Sequence, residues 1–117
     1  MIKRAITNTE KERCFNYLKD KGYIPTTDLF YYADDFKAVA GVEICGGDTS
    51  LIGRIEPMGS DSLKASKELY EYVMNTLKVL GCKFVICTSK NDKVLNALKR
   101  LGHKVWGENL TETIKTI

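Results

Sequence analysis

Cysteine and histidine are the residues of this chain with the widest chemical repertoire, since they bind metals, form disulfides and act as nucleophiles or bases. The chain has four cysteines and one histidine, which are Cys14, Cys45, Cys82, Cys87 and His103. No two cysteines form a Cys-x-x-Cys pair, and the histidine has no metal-ligand spacing to any of them. Cys82 and Cys87 flank or lie in an apolar run, where a free thiol behaves as a small hydrophobic side chain. The pattern predicts reduced core cysteines, with no metal site and no disulfide framework.

The composition indicates one ordinary globular domain over residues 1–117. Hydrophobic residues make up 44% of the chain and charged residues 28%, the balance of a soluble protein. The net charge is only +3, and lysine and arginine are spread among nearly as many acids, so nucleic-acid binding is not expected. No apolar run approaches the roughly 20 residues of a membrane span. The segment after Met1 is polar and does not resemble a signal peptide, so a cytoplasmic location is expected.

The first half of the chain predicts a strand, a helix and three further strands. Thr7 and Glu10 have the spacing of a capping box, which begins a helix. Gly22 ends this helix, because glycine accepts the left-handed conformation that closes many helices. Pro57 is expected to end regular pairing of the last of these strands, because it cannot donate a hydrogen bond to a neighbour. The predicted strands are Ile2–Ile6, Leu29–Tyr32, Ala38–Ile44 and Thr49–Glu56.

The second half predicts two helices that alternate with strands. The first helix follows cap candidates in residues 60–62 and ends at Gly81; the second begins at Asn91 or Asp92 and ends at Gly102. A nearly all-apolar strand, Lys83–Thr88, separates them, and residues 104–106 and 111–117 form a final hairpin. Antiparallel strands followed by a strand-helix-strand unit predict a mixed sheet. The residues expected to face inward from the helices are Leu63, Tyr70, Val73, Met74, Leu77, Leu80, Val94, Leu95, Leu98 and Leu101.

The segment from Gly81 to His103, GCKFVICTSKNDKVLNALKRLGH, carries a family resemblance. It is similar to a pattern of the GNAT family of acyl-CoA-dependent N-acyltransferases, a buried strand followed by Asn-x-x-Ala-x-x-Leu-Tyr-x-x-x-Gly-Phe. Residues 38–44 resemble the family's Val-x-Gly strand, and residues 55–57 resemble its Val-x-Pro strand end. The resemblance covers nearly the whole chain. It implies a single α/β (α+β) domain with a mixed sheet of about six or seven strands and helices on both faces.

The resemblance also implies that acetyl-CoA is the cofactor. Family members hold its pyrophosphate in a loop of the type Arg/Gln-x-x-Gly-x-Gly/Ala, where backbone N–H groups and the helix dipole favour anions. Here the loop has Gly59 but no glycine at the helix start. Leu63 would fill space needed by phosphate, and Asp61 would add a repulsion on the order of 1 kcal/mol. The serine hydroxyls and Lys64 could compensate. The candidate cofactor-binding residues are Ser60, Asp61, Ser62, Leu63, Lys64 and Asn91.

The proton chemistry implied by the resemblance is incomplete. The family often uses a tyrosine on the later helix to protonate the leaving thiolate, and counting from Asn91 that position is Leu98. Tyr70 lies on the other helix, where its spacing does not replace the missing tyrosine. Glu56 or Glu43 could be the general base, because a strand carboxylate beside the cleft can deprotonate an amine.

Two functions follow as competing interpretations. In the first, a GNAT-like domain has weakened or lost acyl transfer and serves as a binding or structural module, and its short length and composition would suit a phage or mobile-element protein. In the second, the chain is an active acetyl-CoA-dependent N-acetyltransferase that acts on a small-molecule or protein amine. Exposed strand edges of such a sheet can pair with a second copy, so a homodimer is a further expectation.

Overall fold

The structure, a computed structural model, describes residues 1–46, 50–89, 92–106 and 112–117. Within these residues it contains seven strands and three α-helices in the order that the sequence predicts. A short 3₁₀ turn, Asp34–Phe36, connects the second and third strands. The elements are β1 (Ile2–Arg4), α1 (Asn8–Asp20), β2 (Phe30–Ala33), β3 (Ala38–Gly46), β4 (Leu51–Ser60), α2 (Leu63–Val79), β5 (Cys82–Thr88), α3 (Asp92–Arg100), β6 (Lys104–Trp106) and β7 (Glu112–Thr116).

The strands form one mixed sheet in the order β1-β2-β3-β4-β5-β7-β6. The first four strands pair antiparallel, and β4 pairs parallel to β5. A parallel pair needs a crossover connection, which α2 provides. β7 lies between β5 and β6 and pairs antiparallel to both. The predicted fold class is confirmed.

Helices cover both faces of this sheet. On one face, the buried α1 side chains Cys14 and Leu18 pack against β2 and β3. On the other face, the buried side chains of α2 pack with Leu98 of α3 against Val42 and Val85 of the sheet. Among the described residues, no helix is long and apolar enough to cross a membrane.

Helix α1 is fixed to the sheet at its first turn. Thr7 accepts a hydrogen bond from the Glu10 amide at 3.1 Å, and the Glu10 carboxylate accepts one from the Thr7 amide, also at 3.1 Å, as the capping box predicts. The same carboxylate accepts a 2.5 Å hydrogen bond from the Tyr32 hydroxyl of β2. Tyr32 first, and then Thr7, lower the pKa of Glu10 from 4.5 to about 2.

The inward faces of α2 and α3 differ in part from the prediction. The buried residues of α2 recur every four positions, as Ala65, Leu69, Val73 and Leu77. Leu63 and Leu80 were predicted to face inward and are instead 89% and 51% exposed. At 100° per residue, Leu63 points about 200° away from Ala65, and Leu80 lies beyond the last helical turn.

In α3, Leu98 is buried as predicted and Leu95 is half-buried. Val94 and Leu101 were predicted to face inward and are instead 44% and 43% exposed. Val94 lies at an open cleft, which accounts for its exposure.

Candidate functional site

Strands β4 and β5 separate halfway along β4, and this separation creates the candidate site. Their parallel pairing runs from Leu51 opposite Cys82 to Ile55 opposite Cys87. Beyond that point β4 pairs with β3 alone within the described registers, as far as Ser60 opposite Ala38. The prediction that Pro57 ends regular pairing was therefore wrong, because the ladder to β3 resumes directly after it.

A β-bulge at Pro57 bends β4 away from β5. Val42 of β3 pairs with Ile55, and Ala40 pairs with Met58, so β4 advances by three residues where β3 advances by two. An extra residue of this kind bends a strand and interrupts its pairing. Gly41 permits the close approach, because a Cβ at this position would lie 3.0 Å from the Glu56 carbonyl oxygen and 3.3 Å from Pro57 Cδ.

The space between the separated strands is a cleft of about 420 Å³. Its walls come from the end of α1, the second half of β4, the end of β5, and the facing sides of α2 and α3. Small-molecule sites have this order of volume and a similar mixture of apolar and polar groups. The side chains lining the cleft include Lys21, Met58, Ser60, Tyr70, Thr88 and Leu98.

The N-terminus of α2 lies at the cleft and is capped by its own loop. Ser62 is the N-cap residue, and its side chain accepts a 3.3 Å hydrogen bond from the Ala65 amide. Ser60 donates to the Ser62 carbonyl oxygen at 2.7 Å and accepts from the Ser62 amide at 3.1 Å. The amides of Leu63 and Lys64 have no intrahelical partner by helix geometry, so they are the donors that an anion would reach at this helix start.

Neither residue expected to oppose phosphate points its side chain at this helix start. The Asp61 carboxylate accepts a 2.8 Å hydrogen bond from the Tyr17 hydroxyl and forms a 2.5 Å ion pair with Lys21, both on the α1 side. Lys21 first, and then Tyr17, lower the pKa of Asp61. Leu63 is turned to solvent. The expected repulsion and steric conflict are therefore reduced. Lys64 is exposed beside them, and Asn91 lies outside the described residues.

The two candidate bases lie near each other on the α1 face of the sheet. Glu43 is the register partner of Arg54, which also lies two residues before Glu56 on β4. One Arg54 nitrogen donates to Glu56 and to Glu112 of β7, each at 3.1 Å. Glu43 accepts a 2.9 Å hydrogen bond from Thr26. Both glutamates therefore have ordered partners.

A broader groove of about 610 Å³ lies on the same face, between α1 and the segment of residues 25–28. Glu43 lines this groove and not the cleft between β4 and β5. Glu43 therefore lies outside the cleft, whereas the Glu56 carboxylate accepts a 3.5 Å hydrogen bond from Thr88, which lines the cleft.

Sequence reasoning missed a polar chain that begins at the cleft. The Tyr70 hydroxyl lies 2.5 Å from Nε2 of His103, whose Nδ1 lies 3.1 Å from the Thr113 hydroxyl. Burial, and then the charge of Lys115, lower the pKa of His103 from 6.5 to about 4, so its ring is neutral near pH 7. Tyr70 is separated from His103 by 33 residues. The only signals in the sequence were a tyrosine among the residues expected to face inward from one helix and a histidine directly after the next helix.

The position that corresponds to the family tyrosine is apolar and buried. Leu98 is 7% exposed and lines the cleft together with Tyr70. Cys87 also lines the cleft, and burial raises the pKa of its thiol from 9.0 to about 12. A thiol that stays protonated is a poor nucleophile.

Comparison with known proteins gives matches of structure and not of sequence. No protein-family model matches the chain, and no curated protein sequence matches it. A chain of the NatC complex bound to Gag peptide and CoA superposes with a TM-score of 0.80 and 11% identity, over 100% of this chain and 98% of that chain. Arabidopsis thaliana NAA60 in complex with acetyl-CoA gives 0.74 and 11%, with the same coverage.

A bacterial enzyme gives a further match. The ribosomal-protein-S18-alanine N-acetyltransferase from Escherichia coli superposes with a TM-score of 0.67 and 10% identity, over 97% of this chain and 90% of that chain. At sequence identities this low, the superpositions establish the fold alone. All three matches extend over almost the whole chain. The chain therefore has the fold of the GNAT acetyltransferases.

Proposed function

We propose that the cleft between β4 and β5 binds an acyl-CoA, and that the chain is a GNAT-fold binding domain in which acyl transfer is weakened or lost. The observation that carries this proposal is the strand separation after Ile55 and Cys87, which opens a ligand-sized cleft beside the start of α2. When bound, acetyl-CoA would supply an activated acyl group as a thioester.

The residues around the cleft fit such a ligand. The amides of Leu63 and Lys64 would hold the pyrophosphate at the helix start. The one proton of the Ser60 hydroxyl is already donated to the Ser62 carbonyl oxygen. Lys64 would contribute positive charge, whereas the charge of Lys21 is paired with Asp61. The apolar side chains Met58 and Val94 line the cleft and would contact the extended arm of the ligand. Pairing of Asp61 with Lys21 and Tyr17 supports this fit, because it offsets the one carboxylate of the loop.

Three features support weakened transfer. Leu98 cannot protonate a thiolate. Ser62 occupies the Ala65 amide, so an anion must compete with the helix's own cap for one of the few donors there. Arg54 holds the Glu56 carboxylate in a 3.1 Å ion pair, so an amine would have to compete with Arg54 for this carboxylate.

A second candidate function is active N-acetyl transfer. It is favoured by the position of Glu56, whose carboxylate lies 3.5 Å from the hydroxyl of Thr88, a residue that lines the cleft. A glutamate there would take a proton from a small-molecule or protein amine as it attacks the acyl carbon. The C–S bond would break, and the departing thiolate would take its proton from water, since Leu98 has none to give.

Calorimetric titration with acetyl-CoA tests the proposal, using two matched variants, one in α3 and one directly after it. Val94 and Leu101 have nearly equal exposure, 44% and 43%, but only Val94 lines the cleft. We expect Val94→Trp to fill the cleft and weaken binding by about tenfold or more, and Leu101→Trp to bind like the unaltered chain. Absence of binding up to millimolar acetyl-CoA, or equal affinity of the two variants, would refute the proposal.

Release of free CoA from acetyl-CoA in the presence of amines separates the two candidate functions. The binding domain should show affinity without release of CoA above the uncatalysed rate. Sustained release that is lost in Glu56→Gln would instead favour the active enzyme.

A further inference from the structure

A chain of polar groups runs from the cleft to the backbone of β5. Tyr70 lines the cleft and contacts Nε2 of His103, and the other ring nitrogen contacts the Thr113 hydroxyl. The Thr113 hydroxyl also donates to the Cys87 carbonyl oxygen at 3.3 Å. His103 is 3% exposed and Thr113 is 0% exposed, so water cannot readily replace these contacts. The donor and the acceptor in each of these hydrogen bonds are therefore determined by the four groups themselves.

Counting donors and acceptors selects one histidine tautomer. A carbonyl oxygen only accepts, so the Thr113 hydroxyl must use its one proton on Cys87. Thr113 is then an acceptor towards His103, and Nδ1 must carry the ring proton. The neutral ring has no second proton, so Nε2 accepts from the Tyr70 hydroxyl.

The opposite tautomer satisfies one contact fewer. With the proton on Nε2, the ring would donate to Tyr70, and Nδ1 would need the Thr113 proton. The Thr113 hydroxyl would then face the Cys87 carbonyl oxygen lone pair to lone pair. A buried polar contact without a proton is costly, so the arrangement that satisfies all three contacts is favoured.

From this order of protons we infer that Tyr70 offers the cleft a hydrogen-bond acceptor, and that the cleft selects a ligand with an N–H group at this point. The inference rests on the proposed function, since it takes the cleft to be the binding site. It also explains why Tyr70 does not take over the role of the missing tyrosine at Leu98, because its proton is committed to His103. Tyr70 is thus a specificity-determining residue, and His103 is the residue that positions it.

The N–H group has two possible sources. The extended arm of an acyl-CoA carries secondary amides, and an acceptor substrate carries an amine. Both present the same chemistry to the Tyr70 oxygen, so the binding experiment must separate them.

The first test is the tautomer of His103, read from long-range ¹H–¹⁵N spectra. The chain has one histidine, so all ring signals belong to His103. The couplings to the two ring C–H protons distinguish Nδ1 from Nε2. We expect the Nδ1–H form near neutral pH, and a change in the Nε2 resonance in Tyr70→Phe that is absent in Tyr72→Phe. Tyr72 is a suitable control because it lies on the same helix and is 45% exposed. An Nε2–H form would overturn the inference, since Tyr70 would then be a donor to the cleft.

The second test compares ligands that do and do not carry the N–H group. CoA contains the amide arm, adenosine 3′,5′-bisphosphate lacks it, and alanyl-alanine amide supplies an amine. Tyr70→Phe should weaken the binding of either CoA or the dipeptide amide by about fivefold, which corresponds to one neutral hydrogen bond. The affinity for the bisphosphate should stay unchanged. Which of the two ligands is weakened identifies the source. Tyr72→Phe should alter none of the three.

The outcomes separate the inference from the proposed function. Unchanged affinity of Tyr70→Phe for CoA and for the dipeptide amide, when the unaltered chain binds either ligand, would overturn the inference alone. Absence of all binding by the unaltered chain would overturn the proposed function and the ligand selection with it. The histidine spectrum would in that case still decide whether Tyr70 is an acceptor.

Discussion

Acid should destabilise this protein through one buried residue, His103. Its ring is packed against Tyr70 and Thr113, with Lys115 as a nearby positive charge. The folded pKa is about 4, against 6.5 for the unfolded chain. Because the folded pKa is lowered, the stabilisation is present above the unfolded pKa and is lost as the pH falls towards the folded one.

The size of this effect follows from the two pKa values. Between about pH 7 and about pH 5, the unfolded chain takes up a proton that the folded chain resists. Proton linkage then gives a loss of about 2 kcal/mol in the free energy of unfolding. This window lies above the ordinary pKa range of carboxyl groups, so the single histidine dominates it.

Urea unfolding at the two pH values measures the loss, with His103→Gln as the comparison. Glutamine can still donate and accept hydrogen bonds but does not titrate. The unaltered chain should lose about 2 kcal/mol between about pH 7 and about pH 5, and the variant well under half of that. Equal losses in the two proteins would contradict a buried, neutral His103. They would also contradict the donor and acceptor roles assigned to Tyr70, His103 and Thr113.

Three further predictions concern the bulge, the apolar cleft position and the anchor of α1. Gly41→Ala should lower the free energy of unfolding by about 1–3 kcal/mol in urea because its Cβ meets a β4 carbonyl oxygen, while Gly46→Ala, whose Cβ has space, should change it little. Leu98→Tyr should raise release of CoA in the presence of an amine above that of the unaltered chain; no increase would mean that the missing acid does not limit transfer. Tyr32→Phe should raise the Glu10 pKa from about 2 towards 4.5, so the variant should lose less unfolding free energy than the unaltered chain between about pH 4.5 and about pH 2; an equal loss in the two proteins, measured by urea unfolding, would contradict the anchor.

Most of the fold could be predicted from the sequence because its signals are local. The capping box of Thr7 and Glu10 lies at the start of α1, as its spacing predicts. Gly22, Gly81 and Gly102 follow the three helices and have positive φ angles. The continuation of β4 past Pro57 could not be predicted in this way. It depends on space that Gly41 leaves on the neighbouring strand, and single-strand patterns do not show such space.

The candidate site was harder to predict because its contacts join distant segments. Asp61 looked like an obstacle to phosphate, since nothing in its own loop neutralises it. Its partners are Tyr17 of α1 and Lys21 directly after that helix. In the same way, Tyr70 meets His103 because α2 and α3 pack on the same face of the sheet. Spacing within one helix cannot show a contact between two helices.

The acceptor amine, the homodimer and the cytoplasmic location stay predictions. Glu56 and Glu43 both lie on the α1 face of the sheet, and a role for either in amine binding also stays a prediction. The assignment of either as a base depends first on whether the cleft binds the acyl donor.

The most direct test of the central proposal is a titration of ¹⁵N-labelled protein with acetyl-CoA, followed by amide chemical shifts. The proposal predicts saturable shifts concentrated around the cleft, at Ser60, Leu63, Thr88 and Val94, with much smaller changes in the groove between α1 and residues 25–28. No shifts at millimolar acetyl-CoA, or shifts confined to that groove, would contradict it.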